Sequence, residues 1–225
     1  FILLGGNTVF IKKYWLRHVG GWDEACLTED ADLGIRLSVT KAKMKVIYDE
    51  LHTTREETPG SVSSFIRQRT RWNQGFLQVF FKGDWLHLPK LSQRLIAAYS
   101  LTWPLIQALL FIITPLSIYS AVTLDMPVWV TLLSSLPLYI LMLQLLTYNI
   151  GLFEFTRDYG KRYPLWMPLK LLITFYPFQV ILGISTLRAV FRTMFRVKGW
   201  EKTAHTNAHR TNLAEEFGLP NLLTI

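Results

Sequence analysis

Two long uncharged runs dominate the second half of the chain. No charged residue occurs from Leu95 to Leu124, which is 30 residues, or from Met126 to Phe153, which is 28 residues. About 20 apolar residues suffice for a helix to cross the hydrocarbon core of a bilayer. The pattern therefore predicts membrane-spanning helices over about 97–122 and 129–151, joined by a turn at Asp125. Two buried helices in a soluble domain are disfavoured by the length of both runs.

A third apolar stretch, over about 164–187, has a different character. It contains Lys170 and Pro177, and basic residues flank it on both sides. A single crossing would place one basic end outside, against the tendency of Lys and Arg to stay on the cytoplasmic side. The pattern therefore favours a re-entrant or interfacial segment broken near Pro177, with a simple third span as the alternative. The charges around the first two spans predict cytoplasmic outer ends and an external turn between them.

The formal charge of +8 changes this picture little. A basic soluble domain would suggest nucleic acid, but basic residues beside membrane segments meet anionic headgroups, so no nucleic-acid partner is expected. Arg188, Arg192 and Arg196 are four apart and share one helix face, which fits either a helix on an anionic surface or a solvated basic face. Cys26 is the only cysteine, so no intrachain disulfide can form. Because the chain opens on Phe1 without the features of a signal peptide, we interpret it as a C-terminal fragment.

The first part of the chain is mixed and charged, and its pattern predicts an α/β structure. Residues 1–85 form this part, 86–190 the membrane and interfacial part, and 191–225 a basic cytoplasmic tail. The predicted strands are Phe1–Leu4, Val9–Ile11 and Lys45–Tyr48, and the predicted helices are Tyr14–Val19 and a longer one from Ser61 to about Phe81. Between the first two strands, Gly5-Gly6-Asn7 indicates a tight turn or a close approach of the backbone to a ligand.

An acidic segment, Thr28-Glu29-Asp30, precedes a run with helical periodicity. Thr28 is a suitable N-cap, and the helix dipole favours carboxylates at Glu29 and Asp30 in the first turn. Dipole compensation alone can account for these residues. The functional alternative is that one carboxylate acts as a general base and removes a proton from a bound hydroxyl.

The longer predicted helix carries Gln68, Arg71 and Trp72 at positions i, i+3 and i+4, so the three share one face. A planar guanidinium can bind diphosphate oxygens, an indole can stack on the apolar face of a sugar, and an amide can bind hydroxyls. A basic amphipathic helix at the bilayer surface is the alternative, and the two interpretations are compatible.

Together, Gly5-Gly6-Asn7, Thr28-Glu29-Asp30 and Gln68-x-x-Arg71-Trp72, followed by apolar helices, resemble the membrane-bound family 2 glycosyltransferases. These include cellulose, chitin, hyaluronan and bacterial polysaccharide synthases. The resemblance implies the C-terminal portion of a GT-A-like α/β domain followed by an α-helical transmembrane region. It also implies inverting transfer of a sugar from a nucleotide sugar, usually a UDP-sugar, to a glycan acceptor.

The resemblance assigns roles to particular residues. Asp30 matches the catalytic base, and Gln68, Arg71 and Trp72 match the motif that holds the acceptor and the donor diphosphate. Further candidates are Glu29, Gly5, Gly6, Asn7, Trp200, Lys202 and Thr203, the last three by likeness to a loop that closes over the nucleotide. The family's divalent cation, Mg²⁺ or Mn²⁺, is expected to bind mostly in an N-terminal half outside this fragment, which should be inactive alone. No metal site is expected in this chain, and His205 and His209 are interpreted as tail residues.

These expectations describe an integral membrane protein, of the bacterial plasma-membrane type, with its catalytic part in the cytoplasm. Two other functions remain open. One is a glycosyltransferase that acts once on a lipid-linked acceptor. The other is a non-catalytic membrane anchor or transport protein, which the absence of charges from the long spans disfavours.

Overall fold

The computed structural model of the protein describes residues 1–6, 9–47, 58–197 and 199. Within these residues the chain forms seven α-helices and one 3₁₀ helix, and no residue among them lies in a β-strand. The α-helices are α1 (Lys13–His18), α2 (Glu29–Val39), α3 (Val62–Lys82), α4 (Leu91–Thr123), α5 (Val128–Ser134), α6 (Leu136–Asp158) and α7 (Met167–Met194). The 3₁₀ helix spans Asp84–His87.

The predicted strands are not formed in the part of the chain that the structure describes. Phe1–Leu4 runs without regular structure against α2, where Gly34 faces it: a Cβ built at Gly34 would lie 2.8 Å from the carbonyl oxygen of Ile2 and 2.9 Å from the amide nitrogen of Leu4. A strand requires a neighbour to complete its ladder of hydrogen bonds, and the described residues supply none. The α/β interpretation therefore stays a prediction, and Tyr48 lies outside the described residues.

The expected helices of the first part are present. α1 ends before Gly20 and Gly21, whose φ angles of 83° and 81° are glycine-favoured. Ser61 caps α3 by accepting a hydrogen bond from the amide of Ser64 at 3.1 Å. At its other end α3 stops at Gly83, which has a φ of 80°.

Three described helices, α4, α6 and α7, are long and apolar enough to cross a membrane. The turn around Asp125 is present, but the second uncharged run is not one helix, because it divides at Ser135 into α5 and α6. A proline in the first turn of α6 accounts for the division, since proline lacks the amide that would continue α5.

The third apolar stretch differs from the favoured interpretation. α7 is continuous through Pro177, so the break predicted there is absent. Proline is tolerated inside apolar helices of this kind when the freed backbone group is satisfied locally. A simple third span, the alternative interpretation, agrees with the length and composition of α7.

The chain divides into two compact units. The first contains residues 1–104 together with the segment from Arg188 onward, and the second contains Leu105–Leu187. The first unit is built around an apolar cluster that joins the loop before α2 to α2, α3 and the start of α4. Its fully buried members are Cys26, Ile35, Val79 and Leu101. Burial raises the pKa of the Cys26 thiol.

Within the second unit, helices are joined by close packing and by polar pairs. Gly183 on α7 lies so close to Phe111 on α4 that a built Cβ would be 2.2 Å from the ring. Gln179 Nε2 donates to Gln144 Oε1 at 3.0 Å, which links α7 to α6. Such contacts between small or polar side chains stabilise apolar helices against each other.

Candidate active site

The N-terminal turn of α2 carries the acidic segment. Glu29 and Asp30 are its first two residues, as predicted, and Asp30 is half-buried. Its Oδ1 accepts a hydrogen bond from the amide of Ala31 at 2.9 Å. Within the described part of the chain, Asp30 has no ion-pair partner. A positioned carboxylate that no cation neutralises is what general-base chemistry requires.

Gly6 and Asp30 lie together. A Cβ built at Gly6 would be 3.3 Å from Asp30 Oδ2 and 3.8 Å from its Cγ. The glycine thus lets the backbone pass close to the carboxylate, and the approach to a ligand stays a prediction. Gly5 precedes it and is exposed, and Asn7 lies outside the described residues.

Thr28 does not cap α2 as predicted. It occupies the N-cap position, but its side chain accepts no capping hydrogen bond. The residue is instead 6% exposed and packs against α3. Its φ and ψ of −126° and 66° are not those of a standard cap, and a Cβ built at Gly75 of α3 would lie 2.6 Å from its Oγ1.

A second carboxylate of α2, Asp32, is engaged in an ion-pair network. Asp32 is 1% exposed; its Oδ2 accepts from Arg36 Nε at 2.8 Å, and its Oδ1 pairs with Lys82 at the end of α3. Lys82 also pairs with Asp23 at 2.9 Å. Arg36 Nη2 donates to the carbonyl of Gly21 at 2.8 Å. This network fixes α2 to the loop before it and to α3.

The ion pairs shift the pKa values of Asp23 and Lys82, the partly exposed members of the network. The hydrogen bond from Lys82 is the main cause that lowers the pKa of Asp23. Partial burial opposes charge on Lys82, but its hydrogen bonds to Asp23 and Asp32 outweigh this and raise the pKa of Lys82. Both groups are therefore charged at neutral pH.

α3 carries Gln68, Arg71 and Trp72, all half-buried, on one helix as predicted. The guanidinium of Arg69 lies over the Trp72 ring, with its Cζ 4.4 Å from the centroid. It also lies 4.9 Å from the centroid of Phe65. Arg69 thus holds the indole by cation–π contact, which restricts the ring that the sequence suggests for stacking on a sugar.

α3 also holds the acidic segment directly. Gln78 Oε1 accepts a hydrogen bond from the amide of Leu27 at 2.9 Å. Gly75 packs against Thr28, and a Cβ built at Gly75 would lie 2.4 Å from Thr28 Cγ2. The two sequence motifs are therefore joined by residues one and two turns after Trp72, within one compact unit.

Sequence reasoning missed Gly75 and Gln78. A single glycine inside a helical pattern was the available signal, because it costs helix stability and usually marks close packing. Gln78 follows it by three residues on the same side of the helix. Three other candidates, Trp200, Lys202 and Thr203, lie outside the described residues.

The described residues do not provide a complete divalent-cation site. No group of three or more His, Cys, Asp and Glu side chains lies together in this part of the chain. Asp32 lies two residues after Asp30, but its carboxylate already pairs with Arg36 and Lys82 and is not available to a cation.

Comparison with known families matches residues 1–184 to the family described as "Glycosyl transferase family group 2". This covers most of the 225 residues. The chain belongs to this glycosyltransferase family. The finer resemblance to cellulose, chitin and hyaluronan synthases is not confirmed by the match.

Curated relatives of the chain include proteins named as a glycolipid synthase and as a probable glycosyltransferase. It is 35% identical over 75 residues to a beta-monoglucosyldiacylglycerol synthase of Synechocystis sp., a match that covers 33% of this chain and 15% of the relative. It is 33% identical over 84 residues to the probable glycosyltransferase YdaM of Bacillus subtilis, which covers 34% of this chain and 20% of that protein. Each match spans a small part of the relative's own length. No solved structure shows a significant match to the chain.

Proposed function

We propose that the protein is part of an inverting glycosyltransferase that moves a sugar from a nucleotide sugar to an acceptor hydroxyl at a membrane. The observation that carries this proposal is the docking of the acidic segment on α3 by Gly75 and Gln78. It ties the candidate base, Asp30, to the helix that carries the candidate diphosphate and sugar contacts. Membership of the glycosyltransferase family supports the reaction class.

In the proposed reaction, the acceptor hydroxyl loses its proton to the Asp30 carboxylate while its oxygen attacks the anomeric carbon of the donor. The bond from that carbon to the diphosphate oxygen breaks with inversion, and the nucleoside diphosphate leaves with the electron pair. Arg71 offers a bidentate donor for the developing charge on the diphosphate. Trp72 and Gln68 position the acceptor by stacking and hydrogen bonding.

Asp30 is preferred to its neighbours as the base on physical grounds. Asp32 is 1% exposed and engaged by two cations, so it is closed to a substrate and its charge is already compensated. Asp30 is half-buried, and among the described residues its one hydrogen bond runs from the Ala31 amide to Oδ1. Its Oδ2, which faces Gly6, is the candidate proton acceptor.

Two acceptor classes are proposed. Resemblance to the polysaccharide synthases favours a glycan acceptor and a polymer product. The relatives named beta-monoglucosyldiacylglycerol synthases favour a single transfer to a lipid acceptor. The three apolar helices are compatible with either, because both acceptors are handled at a bilayer.

The decisive experiment is to express the complete protein in membranes and supply a panel of radiolabelled nucleotide sugars. Label that partitions into chloroform–methanol would identify a lipid acceptor, and label in an ethanol-insoluble fraction would identify a polymer. Asp30→Asn, which keeps the size and the hydrogen bond to the Ala31 amide, should abolish incorporation while the protein stays in the membrane. Undiminished incorporation by this variant would remove Asp30 from the proposed role.

A further inference from the structure

The C-terminal end of α7 holds an arginine in a conformation that glycine normally adopts. Arg196 has a φ of 50°. Its amide donates to the carbonyl of Thr193 at 3.2 Å, and the amide of Val197 donates to the carbonyl of Arg192 at 2.8 Å. These two bonds define the helix-ending turn whose left-handed residue is usually glycine. A large side chain is therefore present where it costs conformational energy.

The turn is clamped on both sides by a buried amide of α3. Gln74 is 4% exposed. Its Oε1 accepts from Arg192 Nε at 2.9 Å, and its Nε2 donates to the carbonyl of Val197 at 3.0 Å. Arg192 extends the clamp by donating from Nη2 to the carbonyl of Gly199 at 3.1 Å. The residues on either side of Arg196 are thus fixed to α3.

Arg192 and Arg196, which the sequence places on one helix face, differ in their contacts. Arg192 is half-buried and bonded to Gln74, so it serves the fold. Arg196 is exposed, and its guanidinium makes no hydrogen bond or ion pair with the described residues. A strained residue whose side chain forms no local contact is a candidate for a functional contact.

We propose that Arg196 binds a phosphate group. Gln74 lies three residues after Arg71 on α3, so the clamp is attached one helical turn from the arginine of the candidate diphosphate site. Arginine binds phosphate oxygens bidentately. The phosphate is either in the diphosphate of the donor or in a lipid headgroup. The connection to α3 favours the donor, and in that form the inference rests on the proposed function.

Lys41 provides a matched control. It is the other non-glycine residue with positive φ in the described part of the chain, at 60°. It ends α2 by the same turn, in which its amide donates to the carbonyl of Ser38 and the amide of Ala42 donates to that of Leu37, both at 3.1 Å. Lys41 is also basic and exposed. Lys41→Gly therefore removes one positive charge and the same strain at a position with no proposed ligand.

The experiment compares Arg196→Gly, Arg196→Lys and Lys41→Gly in the full-length enzyme in lipid nanodiscs. Both glycine variants should keep or raise the melting temperature, because glycine relieves the left-handed strain. Arg196→Gly alone should raise the KM for the nucleotide sugar about ten- to hundredfold, the range for hydrogen bonds to a charged group. Arg196→Lys should fall between it and the wild type, since lysine keeps the charge but not the bidentate geometry.

Binding of a lipid phosphate by Arg196 predicts a different result. If Arg196 binds a headgroup, Arg196→Gly leaves the donor KM unchanged but loses any stimulation by phosphatidylglycerol over phosphatidylcholine nanodiscs. If Arg196→Gly equals Lys41→Gly in both donor KM and lipid response, the phosphate-binding role is overturned. Should the wild type transfer no sugar, the proposed function fails separately. The Arg196 proposal is then decided by titration of inorganic pyrophosphate, which Arg196→Gly should bind more weakly than Lys41→Gly, and equal affinities would overturn it.

Discussion

Gly75→Ala tests whether α3 positions the acidic segment. A Cβ at this position would lie 2.4 Å from Thr28 Cγ2, 2.6 Å from Thr28 Oγ1 and 2.8 Å from the Thr28 amide nitrogen. The first distance is about 1 Å shorter than an ordinary carbon–carbon contact. Rotation of the threonine side chain would remove its own two clashes but not the clash with the backbone nitrogen. The backbone two residues before Asp30 must therefore move.

The expected effect on stability is small, because two contributions oppose each other. Overpacking costs about 1–3 kcal/mol, whereas alanine stabilises a helix interior by about 1 kcal/mol relative to glycine. The net loss should be about 0–2 kcal/mol. The effect on rate should be larger, because a displacement of about 1 Å in a catalytic group can cost about a hundredfold. We therefore expect kcat to fall ten- to hundredfold (about 1.4–2.7 kcal/mol).

The assay is sugar incorporation at saturating donor, with the melting temperature of the purified protein in the same detergent. Gly151→Ala is the matched control, because Gly151 is also inside a helix but a Cβ built there meets nothing within 4 Å. This control should keep its activity and gain stability. A Gly75→Ala enzyme with wild-type kcat would refute the positioning role of α3, whatever its melting temperature.

Three other predictions follow from contacts outside the candidate base. Gly183→Ala brings a Cβ to 2.2 Å from the phenylalanine ring that it faces, so the free energy of unfolding in detergent should fall by about 1–3 kcal/mol. A double-mutant cycle with Gln144→Leu and Gln179→Leu should give a coupling of about 0.6–2 kcal/mol from their 3.0 Å bond, and zero coupling would contradict it. The lowered pKa of Asp23 stabilises the fold above its unfolded value near 4, a contribution lost as pH falls through the folded pKa. Asp23→Asn should therefore flatten the acid limb of stability against pH. The raised pKa of Lys82 predicts a contribution to stability that is lost as pH rises through its folded pKa.

Local patterns predicted the helices well because their signals lie within the helices themselves. Absence of charge over 95–124 was sufficient for α4, and a serine before an amphipathic run was sufficient for the start of α3. The break expected at Pro177 was wrong, since α7 is continuous through this residue; a proline inside an apolar helix does not by itself end it. Strands depend on partners elsewhere in a chain, so Phe1–Leu4 could not be settled from its own residues.

The contacts that join the motifs were beyond sequence reasoning for a related reason. Gln78 could be placed on a face of α3, but nothing in its neighbours indicates that it accepts from Leu27, 51 residues earlier. The same holds for Gln74, whose partners Arg192 and Val197 lie more than a hundred residues later. Long-range polar contacts depend on the tertiary arrangement, and the helical periods of the segments they join do not encode it.

The two aspartates of α2 show how such contacts decide chemistry. Asp30, the candidate base, and Asp32, which sequence reasoning did not single out, both lie in the first turn of α2. They differ because Lys82, 50 residues after Asp32, ends α3 where it can neutralise the buried carboxylate. Removal of one partner from a buried pair leaves an uncompensated charge and costs about 3–5 kcal/mol. Asp32 is therefore committed to the fold, and its ion pairs hold the turn that carries Asp30, the proposed base, whose Oδ1 accepts from the neighbouring Ala31 amide.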